Sequence, residues 1–178
     1  MMVNTEIQTK RLRLLALTLA QLDLCLEDPA CLGRDLGVAI SPHLVDEPAR
    51  RATGFKTKKM SESGTGSHPW YTFWLVVIAA ERHGVGLAGF KGEPNERGEV
   101  EIGYGIDPAY RNRGYTTEAV KALIAWAFQD PSCRAILADT LKGNYASSRV
   151  LVKVGMHIDL ETDEGLCWRI ERGGVSLA

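Results

Sequence analysis

Two arginines and a glycine stand between a strand-like segment and a helix-like segment, in the order Arg111-Asn-Arg-Gly114. Upstream, larger apolar or aromatic residues alternate with Glu or Gly over residues 99–106, which is the periodicity of a β-strand. An Asp-Pro pair ends this strand, and a helical pattern begins at Thr116 or Thr117. The free amides and the positive dipole end of such a helix attract anions, so the turn predicts a site for a phosphate-bearing ligand.

Length and composition are typical of one ordinary globular domain. The chain has 178 residues, of which 45% are hydrophobic and 24% charged, and its formal net charge is -1. A chain of this size can bury a substantial core, and the near-zero charge gives no reason to expect nucleic acid or an acidic membrane as a partner. No apolar run is long enough to span a bilayer, and the charged residues between Glu6 and Arg13 argue against a signal peptide.

The cysteines predict neither a metal site nor a disulfide framework. Cys25, Cys31, Cys133 and Cys167 are widely spaced, with no Cys-x-x-Cys pair and no accompanying histidine spacing. We therefore expect reduced thiols, no bound metal and a cytoplasmic protein.

The remaining periodicities predict a single α+β domain. Strands are expected at residues 12–17, 70–80, 85–91, 99–106, 135–140, 156–160 and 166–170, the last two as a closing hairpin. Helices are expected from an N-cap at Thr18 to Asp28-Pro29, within residues 44–59, from Thr116 or Thr117 to Asp130-Pro131, and from an N-cap at Asn144 to Gly155. Residues 61–69 are rich in turn formers and predict a loop. Three antiparallel strands thus lead to a crossover, which should place residues 99–106 and 135–140 in parallel.

Two motifs resemble those of the GCN5-related N-acetyltransferases. Arg111-Asn-Arg-Gly-Tyr-Thr116 is similar to the family's Arg/Gln-x-x-Gly-x-Gly/Ala loop, with Thr116 where Gly or Ala is usual. Asn144-Tyr-Ala-Ser-Ser-Arg-Val-Leu-Val-Lys-Val-Gly-Met156 resembles the second motif. Thr117-Glu-Ala119 and Thr9-Lys-Arg-Leu-Arg-Leu14 further resemble the ribosomal-protein N-acetyltransferase branch. The resemblance covers residues 9–170 as one domain, with 171–178 as a C-terminal tail, and only residues 31–69 lack a counterpart.

The resemblance implies acetyl-coenzyme A (acetyl-CoA) as cosubstrate, and a central sheet that splays between two parallel strands to admit it. The amides of the turn would hold the pyrophosphate, and the pantetheine arm would lie along the preceding strand as an additional strand. Asn144 would hold amide groups of the cofactor. The residues implied in cofactor binding are Tyr104, Gly105, Ile106, Arg111, Asn112, Arg113, Gly114, Tyr115, Thr116 and Asn144.

Acetyl transfer to an amine requires a base that removes a proton from the amine. An α-amine has a pKa of about 7.7–8.0, against about 10.4 for lysine, so a modest base is sufficient. Glu101, on the strand beside the splay, is the first candidate and would act through water. Glu99 is the second, because strand alternation places both carboxylates on one face. Either carboxylate could instead be a solvated residue or an ion-pair partner.

The departing thiolate is the second requirement. Many relatives protonate it with a Tyr whose position corresponds to Leu151 here, so that Tyr is absent. The ribosomal-protein branch is thought to use the Ser of Asn-x-x-Ser, and the resemblance therefore implies Ser147 as the acid. A serine at this helix position could also be only a capping residue.

These features favour an acetyl-CoA-dependent N-acetyltransferase that transfers the acetyl group directly, within a ternary complex, to a primary amine. The amine could belong to a protein N-terminus or to a small molecule. The alternative is a CoA-binding sensor or interaction domain without catalysis, which the absent Tyr favours. We expect acceptor selectivity to reside in residues 31–69. Many relatives are dimers, which suggests a homodimer, although the sequence shows no interface.

Overall fold

The computed structural model describes residues 5–64 and 68–173. Within them, the strands are β1 Glu6–Gln8, β2 Leu12–Ala16, β3 Ala39–Ile40, β4 Trp74–Ile78, β5 His83–Phe90, β6 Glu99–Ile106, β7 Ala135–Leu141, β8 His157–Glu161 and β9 Gly165–Glu171. These nine strands form one mixed sheet in the order β1-β2-β4-β5-β6-β7-β9-β8, with β3 beside β5. The helices are α1 Leu19–Glu27, α2 Pro29–Leu36, α3 Glu47–Glu62, α4 His68–Tyr71, α5 Tyr115–Ala127 and α6 Tyr145–Lys153, with a 3-10 turn at Pro108–Tyr110.

The strand order confirms the predicted α+β fold. β4, β5 and β6 are consecutive antiparallel neighbours, and β7 follows α5 to lie parallel to β6. The bounds of β6 are those expected, and the closing hairpin is β8 with β9. An additional strand, β1, precedes Thr9 and pairs with β2.

Helices pack on both faces of the sheet, and alternation along β4 divides the core in two. Trp74, Val76 and Ile78 join the cluster under α5 and α6, whereas Leu75 and Val77 join the cluster under α1, α2 and α3. All five residues of β4 are buried because both faces of this strand are covered.

The segment before β4 differs from the expectation at both ends. Asp28 ends α1 and also caps α2, because its carboxylate accepts the Cys31 amide at 2.9 Å, so the Asp-Pro pair starts a second helix where only a stop was predicted. The helix expected within residues 44–59 is α3, which is capped by Asp46 and continues to Glu62. The predicted loop therefore begins only at Ser63, and its residues 65–67 lie outside the described residues.

The predicted strand at residues 70–80 is wrong at its beginning. Trp70 and Tyr71 belong to α4, and β4 starts at Trp74. This local turn brings the Trp70 ring to 4.6 Å from the Trp126 ring, and it lets the Trp74 indole donate to the Pro69 carbonyl at 3.0 Å. Aromatic packing against α5, rather than β propensity, decides the conformation here.

A buried lysine joins α3 to the sheet. The Lys56 ammonium donates to the carbonyls of Tyr71, Thr72 and Phe90 at 3.3, 3.1 and 2.6 Å, and it lies 4.7 Å from the centre of the Phe73 ring. Burial, with the nearby Lys91 charge, lowers the pKa of Lys56 from 10.5 to about 7. The side chain ties α3 to the ends of β4 and β5.

The lowered pKa predicts a pH-dependent stability. Between about pH 7 and pH 10.5 the unfolded chain binds more protons at Lys56 than the folded chain does, so the free energy of unfolding should rise with pH across this window. Lys56→Met should remove that rise and, because three buried carbonyls lose a donor, lower the stability by about 1–3 kcal/mol. Urea titrations at pH 6.5 and 9.5 would measure both effects. Lys58→Met, on an exposed position of α3, is the control, and an unchanged pH slope in Lys56→Met would contradict the assignment.

Candidate active site

β6 and β7 begin as paired parallel strands and then separate. Three residue pairs join them, the last being Glu101 with Leu137. Beyond that point β6 remains paired with β5 as far as Ile106, and β7 remains paired with β9 as far as Leu141. A gap therefore opens between the carboxyl-terminal halves of the two strands, which confirms the predicted splay.

The backbone of β6 presents hydrogen-bonding groups to this gap. The backbone carbonyl of Glu101 and the backbone amide of Asp107 both form hydrogen bonds on the β5 side of the strand, each at 2.9 Å. The backbone N–H and C=O groups of the odd-numbered residues of β6 therefore point toward β5. In an antiparallel ladder the N–H and C=O groups of the alternate, here even-numbered, residues point away from that neighbouring strand. Tyr104 and Ile106 consequently direct their backbone groups toward the gap. An extended ligand could pair with them as an extra strand.

The chain turns sharply between β6 and α5. Asp107 is buried, and its carboxylate accepts hydrogen bonds from the Ser41 hydroxyl and, at 2.8 Å, from the Ala109 amide. The hydrogen bond from Ser41 holds the pKa of Asp107 below its usual value. Asn112 and Gly114 then adopt left-handed φ angles of 61° and 80°. These features bring the chain round so that α5 begins beside the end of β6.

The first turn of α5 has the geometry that the predicted anion site requires. Its first α-helical hydrogen bond runs from the Glu118 amide to the Gly114 carbonyl at 3.1 Å, so the amides of Tyr115, Thr116 and Thr117 precede it. Gly114 occupies the N-cap position and places no side chain over these amides. These three amides have no acceptor among residues 5–64 and 68–173, and they lie at the positive end of the helix dipole.

Four of the predicted cofactor-binding residues line one small pocket beside the gap. Tyr104, Gly105 and Ile106 meet Thr116 there, together with side chains of β4, β5 and α5. The other members of the turn are exposed, namely Arg111, Asn112, Arg113 and Gly114, while Tyr115 is half-buried. The structure thus places Thr116, from the turn, beside Tyr104, Gly105 and Ile106, from β6.

The start of α6 lies next to the same strand. The Tyr104 hydroxyl donates to the backbone carbonyl of Ser147 at 3.3 Å, and burial raises the pKa of Tyr104. Asn144 is the N-cap of α6 as predicted, and its Oδ1 accepts the Ser147 amide at 3.2 Å. The capping is therefore done by Asn144, and no partner for the Ser147 hydroxyl is found among residues 5–64 and 68–173.

The two candidate bases are both ion-paired, in different ways. Glu99 accepts a hydrogen bond from Arg169 at 2.9 Å, which lowers the pKa of Glu99 and weakens it as a base. Glu101 pairs with Lys91, whose side chain is 64% exposed. Neither partner has a local signature in the sequence, because both contacts depend on how the strands pair.

Glu101 and Ser147 approach the gap from opposite faces of the sheet. Glu101 alternates with Tyr104 across the plane of β6, and α6 packs on the Tyr104 face. The face that carries Glu101 is bare next to it, because a Cβ added at Gly103 or Gly105 would meet no atom within 4 Å among the described residues. A ligand in the gap would therefore be accessible from the face that carries Glu101.

Other chemistries find no support in the described part of the chain. Leu151, at the position of the family's Tyr, is fully buried in the core. Residues 5–64 and 68–173 contain no cluster of three His, Cys, Asp or Glu that could hold a metal ion, and the four cysteines are free. The described helices include none with the length and apolar character needed to cross a membrane.

The splayed mixed sheet, with a helix N-terminus beside the gap, defines an acetyltransferase fold. Residues 11–157 match the family model described as the acetyltransferase (GNAT) domain. The chain therefore belongs to the GCN5-related N-acetyltransferase family and is an N-acetyltransferase.

The similarity to other proteins covers nearly the whole chain. YjdG of Bacillus subtilis (strain 168), named as an uncharacterized N-acetyltransferase, is 27% identical over 163 residues, which cover 91% of this chain and 95% of YjdG. The ribosomal-protein-S5-alanine acetyltransferase of Vibrio fischeri superposes with a TM-score of 0.67 at 14% identity, covering 94% of this chain and 97% of the other. The microcin C7 self-immunity acetyltransferase MccE, crystallised with acetyl-CoA and AMP, superposes with a TM-score of 0.62 at 12% identity, covering 92% and 94%. The two structures establish the fold.

Close contact between β5 and β6 makes one glycine of the pocket irreplaceable. A Cβ at Gly86 would lie 2.6 Å from the Gly105 carbonyl oxygen. We expect Gly86→Ala to force the two strands apart and to destabilise the protein by about 1–3 kcal/mol in urea unfolding. Gly103→Ala, which adds its methyl group to open space on β6, should change stability by no more than about 0.5 kcal/mol. Equal stabilities of the two variants would show that the strands are not tightly apposed at Gly86.

Proposed function

We propose that the protein transfers an acetyl group from acetyl-CoA directly to a primary amine within a ternary complex. The observation that carries this proposal is the row of backbone groups of Tyr104 and Ile106 that faces the gap, immediately before the free amides of α5. The backbone groups of β6 are suited to pair with the amide groups of a pantetheine arm, and the amides of α5 are suited to bind a pyrophosphate. MccE, with a similar fold, was crystallised with acetyl-CoA, which supports the same cosubstrate here.

The amine acceptor would approach from the bare glycine face. Glu101 stands on that face, and its carboxylate can take up the proton of an incoming ammonium through a water molecule. The ion pair with the exposed Lys91 is weak enough to be exchanged, since exposed pairs contribute only about 0–1 kcal/mol. Glu99 is less suited, because Arg169 holds it in a pair whose members are 22% and 16% exposed.

The leaving group would depart on the other face. The amine nitrogen bonds to the thioester carbonyl carbon and the C–S bond breaks. The Ser147 hydroxyl passes its proton to the departing thiolate, and the second proton of the acetylated nitrogen restores that hydroxyl through water. Ser147 is suited to this step because Asn144 performs the capping and leaves the hydroxyl without a partner among the described residues. A thiol has a pKa of about 8.5, so the thiolate is a fair leaving group and the acid should contribute modestly.

A CoA-binding domain without catalysis is the second candidate. It is favoured by Leu151, which is fully buried where many relatives have an acidic Tyr, and by the ion pair that occupies Glu101. The two functions differ in one measurement, the release of free thiol from acetyl-CoA in the presence of an amine.

The acceptor belongs to the class of primary amines. The ribosomal-protein-S5-alanine acetyltransferase, similar in fold, is named for a protein substrate, so peptide N-termini are the first acceptors to test, followed by polyamines, aminoglycosides and amino acids. Reduced thiols agree with a cytoplasmic setting, since the four cysteines are free.

Two substitutions test the roles of the side chains. With the best amine of this panel, Glu101→Gln should lower kcat/KM by about 10²–10⁴-fold, the usual contribution of a general base, and Ser147→Ala should cause a smaller loss confined to kcat. Glu96→Gln and Ser148→Ala are matched controls on an exposed loop and on α6. Thiol release that is undiminished in both variants would refute these roles while leaving the fold intact, and no release with any amine would favour the non-catalytic domain.

A further inference from the structure

The turn between β1 and β2 touches the turn that opens α5, although more than a hundred residues separate them in the sequence. The Arg11 side chain donates from Nε to Glu118 Oε2 at 2.7 Å and from Nη1 to the Arg113 carbonyl at 3.0 Å. Its guanidinium carbon lies 4.7 Å from the centre of the Tyr115 ring. A Cβ at Gly114 would be 3.3 Å from Nη2. The Arg11 side chain thus contacts the N-cap region and the first turn of α5.

Glu118 is the anchor of this contact. Its Oε1 accepts the Thr9 hydroxyl at 2.6 Å and the Arg11 amide at 2.9 Å, in addition to the guanidinium on Oε2. Burial alone would raise the pKa of Glu118, but the hydrogen bonds from Thr9 and Arg11 outweigh it and lower that pKa. The carboxylate is therefore ionised at neutral pH.

An ionised carboxylate in the first turn of α5 opposes the binding of another anion there. Glu118 helps to stabilise the helix N-terminus, but its negative charge would repel a phosphate brought to the same amides. Arg11 cancels this charge at 2.7 Å. The same guanidinium holds the Arg113 carbonyl, so it also restrains the turn in the conformation that leaves the next amides free.

We infer that Arg11 is a positioning residue for the CoA phosphates, acting by neutralising Glu118 and by fixing the turn at residues 113–115. The inference rests on the proposed function, because it assumes that this turn binds the cosubstrate. Two of its donor nitrogens, Nε and Nη1, bind Glu118 and the turn itself, which are the groups that the effect requires it to hold.

The variant Arg11→Met tests the inference directly. Loss of two charge-assisted hydrogen bonds and of the compensating charge should weaken CoA binding and raise the KM for acetyl-CoA by about 10- to 100-fold, with little change in kcat. Arg11→Lys, which keeps the charge without the planar fork, should lie between Arg11→Met and the wild type. Arg13→Met is the matched control, because Arg13 lies two residues further along β2 and pairs with Glu6 at 2.8 Å, away from the turn. Titration calorimetry with CoA, and initial rates at varied acetyl-CoA, measure these effects.

A double-mutant cycle with Glu118→Gln separates positioning from direct phosphate contact. If Arg11 acts through Glu118, Glu118→Gln should change CoA affinity by less than about 2-fold alone but recover about 5-fold or more in the Arg11→Met background. An equal effect in both backgrounds, or CoA binding by Arg11→Met as tight as in the wild type, would overturn the inference alone. A wild-type protein that binds CoA without transferring acetyl would refute only the proposed function, and one that binds no CoA would refute both.

Discussion

The separation of β6 from β7 after three residue pairs is the constraint on which the rest of the site depends. Backbone N–H and C=O groups need hydrogen-bond partners, and those of Tyr104 and Ile106 point toward the gap. Each strand is retained by its outer neighbour, β6 by β5 and β7 by β9, so the gap cannot close without breaking established pairs. The fold therefore maintains a row of donors and acceptors for a ligand in place of a continuous sheet.

Local charge, rather than total charge, makes this gap suitable for a cosubstrate with phosphates. The net charge of -1 gives no general reason to expect nucleic acid or an acidic membrane as a partner. Around the turn, however, Arg111 and Arg113 accompany the positive end of the α5 dipole, and the one carboxylate in the first turn, Glu118, is neutralised by Arg11. A single long-range ion pair thus neutralises the carboxylate in the first turn of α5.

Features that depend on neighbouring residues can be predicted from the sequence, whereas contacts between distant parts of the chain cannot. β6 and the Thr18 cap of α1 were predicted because alternation and capping chemistry act within a few residues. The Asp28-Pro29 pair indicates a helix stop, although the same residues also begin α2. The residue types around Trp70 favour a strand, because the packing of Trp70 against α5 has no local signature. The pairs made by Glu101 and Glu118 depend on strand register and on the crossover, which residue types alone do not specify.

Glu99 and Glu101, two residues apart on β6, show how strand register gives similar side chains different ion-pair partners. Glu99 and Glu101 occupy the same face of β6, yet Glu99 pairs with a planar guanidinium, with both side chains less than a quarter exposed, whereas Glu101 pairs with a flexible ammonium that is 64% exposed. A partly buried Arg pair is held by geometry, while an exposed Lys pair is easily replaced by water or by another cation. The carboxylate with the replaceable partner stands next to the gap, so under the proposed function the incoming ammonium would take the place of Lys91 there.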